Sequence, residues 1–388
     1  MGKKPPNSSP QLIADAEALT RLVDRLAHQR RVALDTEAAS FHRYVDRVYL
    51  IQLASDSETA LIDPLAVDDL RALGQILKEP SIEIVLHDAD YDLRILNRDY
   101  GFTARSLFDT RVAAQLAGEP AVGLGALLEK HFGVTVNKKL QRADWSRRPL
   151  TPEMIEYAAA DASYLPPLRD HLERRLEEEG RLKWAHEEFR LLEQIRWKQP
   201  AENGEAYLRV KGSKALPRRS LAVLREVFEW RESAAKALDR APFRVLGNAA
   251  LLAIAKATPR SQRRLKVLPG VPASAVARYG ADLVEAVTRG LAVPQADLPV
   301  VKRPARPEHD HAYDKRLEVL KNLRNRTARD VQMESGMLCP NGTLQALARA
   351  APTTEKQLSR VKELREWQAD VLGRNQIIAA MRGEPLEA

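Results

Sequence analysis

The chain contains a single cysteine, Cys339, among 388 residues. It can form no internal disulfide, and a cysteine-built zinc site is excluded. Aromatic residues are scarce, at 5% of the chain, so extensive stacking of bases is not indicated. No apolar run approaches the ~20 residues needed to cross a bilayer, and no membrane association is expected. The opening residues, MGKKPPNSSPQ, lack the apolar centre of a secretory signal. A cytoplasmic location is the expectation.

What is present suits a globular chain of two or three domains. Hydrophobic residues make up 44%, enough for packed cores. Charge is divided unevenly. Residues 1–205 hold 28 Lys and Arg against 34 Asp and Glu, while residues 206–388 hold 33 against 19. The first part is therefore acidic by 6 charges and the second basic by 14. Two readings fit: solvated charge on helix surfaces, or a polyanion held by one part and processed by the other. RRLK at 263–266, KRPAR at 302–306 and KNLRNR at 321–326 are the candidate phosphate contacts.

Short runs rich in β-branched and aliphatic residues alternate with helical patterns over residues 1–205. VALDTE, VYLIQLAS, TALID and IEIVLH read as strands, the second and third as a hairpin. A helix is expected over roughly residues 10–29, and DYDLRILNRDYG reads as another, closed by Gly101. Together these predict a mixed α/β sheet with helices on both faces. WKQPAENGEAYLRVKGSKALPRRS, near 197–219, reads as a linker. Helical regions follow, separated by the proline-rich VPQADLPVVKRPARPEHD. The expected domains span residues 1–205, 212–295 and 310–388.

Three segments carry acids in unusual places. In RVALDTEAAS, Asp35 and Glu37 fall on one side of a strand. Two like charges there are costly unless a cation neutralises them, and oxygen donors suit Mg²⁺ or Mn²⁺. In LHDADYDLRIL, Asp92 lies beside the apolar stripe of Leu93 and Leu96, whereas Asp88 and Asp90 read as N-cap and first-turn acids. In EYAAADASYL, Tyr157 and Asp161 stand one helical turn apart among alanines that permit close packing on a sheet. Each segment alone also fits a purely structural role.

In this order the three resemble the DEDD exonuclease superfamily in its tyrosine-bearing branch. NKKLQRADWSRRPLTPEMIEYAAADASYLPPL, with LIDP at 61–64 and FDT at 108–110, is similar to ribonuclease D. The likeness runs over about residues 10–200. WRE, PFRVL, LLAIA and RYG in the tail resemble an HRDC domain, and 312–385 looks like a second, divergent copy in which SGMLCP stands in place of PFRVL. The resemblance implies a ribonuclease H-like exonuclease domain followed by two all-α HRDC-type modules.

It further implies two divalent cations, Mg²⁺ or Mn²⁺, held by Asp35, Glu37, Asp92 and Asp161. Tyr157 would orient a water, and nucleoside 5′-monophosphates would be released from the 3′ end of RNA, such as tRNA precursors. The alternatives are a 3′–5′ DNA exonuclease or a catalytically silent RNA-binding protein. His87, Lys138, Gln141 and Arg148 are candidate substrate contacts, and His87 equally fits strand-end packing. Asp144 and Trp145 are expected to hold their loop against the core, and Asp109 to cap a helix. GLGALL does not complete a dinucleotide motif. A monomer is favoured.

Overall fold

The computed structural model describes residues 9–136, 140–199, 204–301 and 310–385. An eight-residue strand, Arg31–Ala38, forms the middle of a six-stranded sheet. In chain order the strands are β1 (Gln11–Ile13), β2 (Arg31–Ala38), β3 (Val48–Ala54), β4 (Thr59–Ile62), β5 (Glu83–Leu86) and β6 (Leu107–Asp109). Their spatial order is β1-β4-β3-β2-β5-β6. β3 runs antiparallel to β2 and β4, and the other pairs are parallel. Every residue of β3 is buried, as a strand covered on both faces requires.

Helices α1 (Ala16–Leu26), α2 (Arg71–Lys78), α3 (Asp90–Tyr100), α4 (Thr110–Leu116), α5 (Leu124–Phe132), α6 (Pro152–Ser163), α7 (Leu165–Glu178) and α8 (Leu182–Leu192) surround the sheet. The hairpin is present, turning between Ser55 and Glu58. α3 ends on Gly101 with φ 68°, a left-handed turn that glycine adopts without strain. The helix expected from residue 10 begins only at Ala16. Asp15 caps it, accepting from the Ala18 N–H at 2.7 Å, and the residues before the cap pair with β4 as an edge strand.

The first helical module comprises α9 (Arg218–Ala237), α10 (Pro242–Val245), α11 (Asn248–Ala257), α12 (Gln262–Lys266) and α13 (Ala273–Ala292). Its packing starts ahead of residue 212. Tyr207, Val210 and Leu216, read from sequence as linker, are buried in its core. Their segment makes two short 3₁₀ turns, because three apolar side chains outweigh the glycines and prolines around them.

The second module comprises α14 (His311–Asp330), α15 (Ser335–Leu338), α16 (Asn341–Ala350), α17 (Glu355–Leu358), α18 (Glu366–Leu372) and α19 (Arg374–Arg382). A buried arginine repeats between the modules. Arg231 donates to the Leu246 carbonyl at 3.3 Å and to Asn248 at 2.6 Å. Arg324 donates to the Cys339 carbonyl at 3.0 Å and to Asn341 at 2.8 Å. The sequence offsets are identical, 15 and 17 residues in each case. PFRVL and SGML thus occupy the same place, each a single helical turn.

The second module shares a continuous apolar core with the nuclease domain. Trp184 of α8 stacks on Trp367 of α18 with ring centres 5.1 Å apart. Glu187 accepts from the N–H groups of Glu366 and Trp367 at the start of α18, a favourable place for a carboxylate. Among the described residues, no helix is long and apolar enough to cross a membrane.

Candidate active site

Asp35 and Glu37 lie near the end of β2, opposite Gln52 and Leu50 of β3. A bulge interrupts the ladder immediately after Glu37. Such bulges re-aim side chains, often beside active sites. α6 crosses β2, β3 and β4. Ala158 and Ala162 are fully buried beneath it, and their small side chains let the helix come close to the strands. This brings Asp161 down onto the strand acids. One carboxylate oxygen from each of Asp35, Glu37 and Asp161 lies within 4.8 Å of the other two.

Tyr157 is buried one turn before Asp161, in a cluster with Leu50, Leu61, Trp145 and Ala158. Its phenol hydrogen-bonds to Asp161. Trp145 is fully buried with its ring centre 6.1 Å from that of Tyr157. Trp145 thus anchors this loop as expected, while the Asp144 carboxylate accepts from Ser146 within the loop itself.

Asp92 joins the site from α3. It is only 7% exposed and accepts a hydrogen bond from the Thr36 hydroxyl. Thr36, between the two strand acids, is a residue sequence reasoning missed. Its signal was the hydroxyl inside DTE. The turn that delivers α3 depends on Asp109, whose carboxylate accepts from Asp88 N–H (3.2 Å), Ala89 N–H (2.8 Å), Arg111 N–H (2.8 Å) and Val112 N–H (3.1 Å). Asp109 caps α4 as expected and ties down the start of α3 as well. Asp88 is not an N-cap. It adopts φ 64° and pairs with Arg111 at 2.8 Å, while Asp90 pairs with Arg94. The Asp88 carboxylate is thereby turned to Arg111 and makes no cap bond to α3.

Burial raises all four carboxyl groups, and repulsion from neighbouring acids adds to it at Glu37, Asp92 and Asp161. Burial pushes Asp35 up to about 6. Burial and then the Asp35 charge carry Asp161 up to about 7, against the Tyr157 hydrogen bond. Glu37 stands well above the usual carboxylate range, from burial and then from Asp35, Asp161 and Asp92. Asp92 is raised by burial and by Asp35 despite the Thr36 hydrogen bond. A protein keeps such a cluster ionised only with a compensating cation.

The donor set fits a hard divalent ion, since every candidate ligand is a carboxylate oxygen. Gln52 points the same way. Both polar atoms of its amide are buried and have no hydrogen-bond partner among the described residues, directly across the ladder from Asp35. Buried amides are rarely left unpaired without a reason tied to a site.

The substrate candidates separate. Gln141 lines a cleft of about 220 Å³ together with Thr36, Glu37, Phe41 and Tyr91. His87 bonds Thr110 at 2.9 Å at the junction of β5 and α4. Burial and then Arg111 push it down to about 4, so it is neutral at pH 7. Its contacts are those of strand-end packing. Arg148 is engaged within the protein. Its Nε and Nη2 reach Asp63 at 2.5 and 2.8 Å, and its remaining N–H groups meet the carbonyls of Tyr49, Trp145 and Arg147. All five donors of the guanidinium are thereby engaged. Lys138 lies outside the described residues.

Residues 10–177 match the model of the 3′–5′ exonuclease family, and residues 220–287 and 314–380 each match that of the HRDC domain. The chain is 32% identical to ribonuclease D of Granulibacter bethesdensis over 380 residues, covering 97% of this chain and 93% of that protein. It is 33% identical to ribonuclease D of Escherichia coli over 290 residues, 74% of this chain and 77% of that one. The crystal structure of E. coli RNase D, an exoribonuclease involved in structured RNA processing, superposes with a TM-score of 0.70 at 28% identity. That match covers 97% of this chain and the whole of the other. The catalytic core of RRP6 from Trypanosoma brucei matches with a TM-score of 0.66 at 28% identity, over 75% of this chain and 83% of that one. A mixed sheet under α6, four acids from three segments, two HRDC modules and relatedness along nearly the whole chain agree, and the chain belongs to the ribonuclease D family of 3′–5′ exoribonucleases.

Proposed function

We propose that Asp35, Glu37, Asp92 and Asp161 hold two divalent cations, Mg²⁺ or Mn²⁺, and that the enzyme trims the 3′ ends of structured RNA such as tRNA precursors. The observation that carries this is the convergence of three carboxylates within 4.8 Å, from β2 and α6, beside a buried tyrosine. Bound there, divalent ions supply charge neutralisation and Lewis-acid activation at the reacting phosphate.

The chain's own groups do the rest. Four carboxylates balance a total cation charge of four. The Thr36 hydroxyl holds Asp92 in one orientation. Tyr157 is raised well above its ordinary value, by burial and then by the charges of Asp161 and Glu37. It therefore keeps its proton at neutral pH and orients an attacking water by a hydrogen bond, not as a base. The α6 backbone carries both Tyr157 and Asp161, so the water-orienting group and the ligand move as one. The product is a nucleoside 5′-monophosphate, and the active species is the monomer.

Structured RNA is supported by the relationship to E. coli RNase D and by the basic second half of the chain. The test uses 5′- and 3′-labelled RNA and DNA, including a tRNA precursor with a 3′ extension, in Mg²⁺, Mn²⁺ or EDTA. Stepwise shortening of RNA from the 3′ end, blocked by EDTA, is expected. Endonucleolytic products, or equal turnover in EDTA, would refute the reading.

A further inference from the structure

Few residues in this chain are aromatic, yet two exposed phenylalanines meet beside the acidic cleft. Phe41 follows Glu37 by four residues and is 42% exposed. Phe243 belongs to α10 of the first helical module and is 51% exposed. Their ring centres are 6.2 Å apart at 77°, an edge-to-face pair, and both rings remain partly open to solvent. The cleft of about 220 Å³ runs from Thr36 and Glu37 to Phe41. Cations flank the pair. The Arg142 guanidinium lies over Phe41, 5.2 Å from its centre, and that of Arg244 lies 6.0 Å from the centre of Phe243.

The junction between the two domains is built at this point. The Ala241 N–H donates to the His42 carbonyl at 3.2 Å, and the Arg244 side chain donates to the Phe41 carbonyl. Arg43 pairs with Asp239 at 3.1 Å, and the Tyr44 N–H donates to the same carboxylate at 3.3 Å. These bonds hold Phe243 at the mouth of the cleft. Leaving two phenylalanines in water gains the fold little. Stacking surface bordered by guanidinium groups, continuous with the catalytic acids, is what a single-stranded nucleic acid uses.

We propose that Phe41 and Phe243 form a nucleobase-stacking subsite shared by the nuclease and first helical domains, which grips the RNA strand upstream of the scissile phosphate while Arg142 and Arg244 meet adjacent phosphates. The proposal rests on the exonuclease reading above. Such a subsite is tolerant of sequence, because every base presents a π-face. It makes the first helical module part of the substrate channel and gives a reason for the contacts that lock it there.

The experiment compares wild type, Phe243→Ala and Phe243→Trp on 5′-labelled RNA of one length. Further substrates carry a single abasic ribose at each of the last several positions in turn. Phe243→Ala is expected to raise KM on intact RNA about tenfold, the size of one lost stacked base, with kcat near wild type. At one abasic position the difference between wild type and variant disappears, and Phe243→Trp behaves as wild type on intact RNA. Thermal unfolding of the exposed-residue variants is expected to match wild type. An unchanged KM for Phe243→Ala, or a deficit of equal size at every abasic position, overturns the subsite. Failure of wild type to degrade any RNA would instead overturn the exonuclease reading, so the two failures are told apart.

Discussion

Replacing Asp161 by asparagine keeps the shape of the acid cluster and removes one negative charge. The carboxylates of Asp35, Glu37 and Asp161 approach within 4.8 Å. Two unit charges at that distance repel by roughly 3–4 kcal/mol at an effective dielectric of about 20. Asp161 faces two such neighbours. In the absence of metal the protein lowers this cost by retaining protons, so only part of it appears as lost stability. Asp161→Asn is expected to stabilise the metal-free protein by roughly 1–3 kcal/mol. With metal the sign reverses. An ion present at a hundred times its dissociation constant stabilises wild type by about 2.7 kcal/mol, and the variant lacks a ligand needed to hold it. Scanning calorimetry of the full chain in EDTA and in Mn²⁺ measures both. The variant is expected to melt above wild type in EDTA and below it in Mn²⁺. A variant less stable under both conditions, or one gaining as much from Mn²⁺ as wild type, would refute the reasoning.

Three further outcomes follow from the geometry. Tyr157→Phe is expected to lower kcat about 10²-fold or more while leaving the Mn²⁺-induced rise in melting temperature intact; wild-type kinetics would deny the hydroxyl its role. Arg148→Ala strands Asp63 in a largely buried pair, so urea unfolding is expected to show a loss of about 3 kcal/mol, with KM for RNA unchanged in the folded fraction. A raised KM without loss of stability would return Arg148 to the substrate. Arg263→Glu with Arg264→Glu is expected to reduce the slope of log affinity against log salt by about 0.7 per lost phosphate contact; an unaltered slope would remove that patch from the RNA path.

The candidate site was legible because its residues sit in local motifs that together resemble a known family. A strand that alternates strictly puts Asp35 and Glu37 on one side whatever surrounds them, and one helical turn joins Tyr157 to Asp161. Other features misled for equally local reasons. Asp88 looked like a cap because it precedes a helix, but its backbone turns at φ 64° and its carboxylate pairs with Arg111, twenty-three residues later. Arg148 was a candidate substrate contact because it belongs to the segment before α6, yet its side chain is engaged by Asp63, 85 residues away. The turns around Tyr207 looked like linker because the stretch is polar and broken by glycine and proline, while three buried side chains decide their place.

Local patterns in the sequence pointed to the mixed sheet and to the candidate acids and tyrosine, since periodicity and spacing act over a few residues at a time, and the family resemblance joined them to the two helical modules of the tail. Tertiary structure decided which charged groups are spent on holding the fold and which remain for substrate. It also decided that the second helical module shares the nuclease core, and that Phe243 stands beside Phe41. Those outcomes depend on which distant segments meet, and a guanidinium or a ring has no fixed role until its neighbours in space are set.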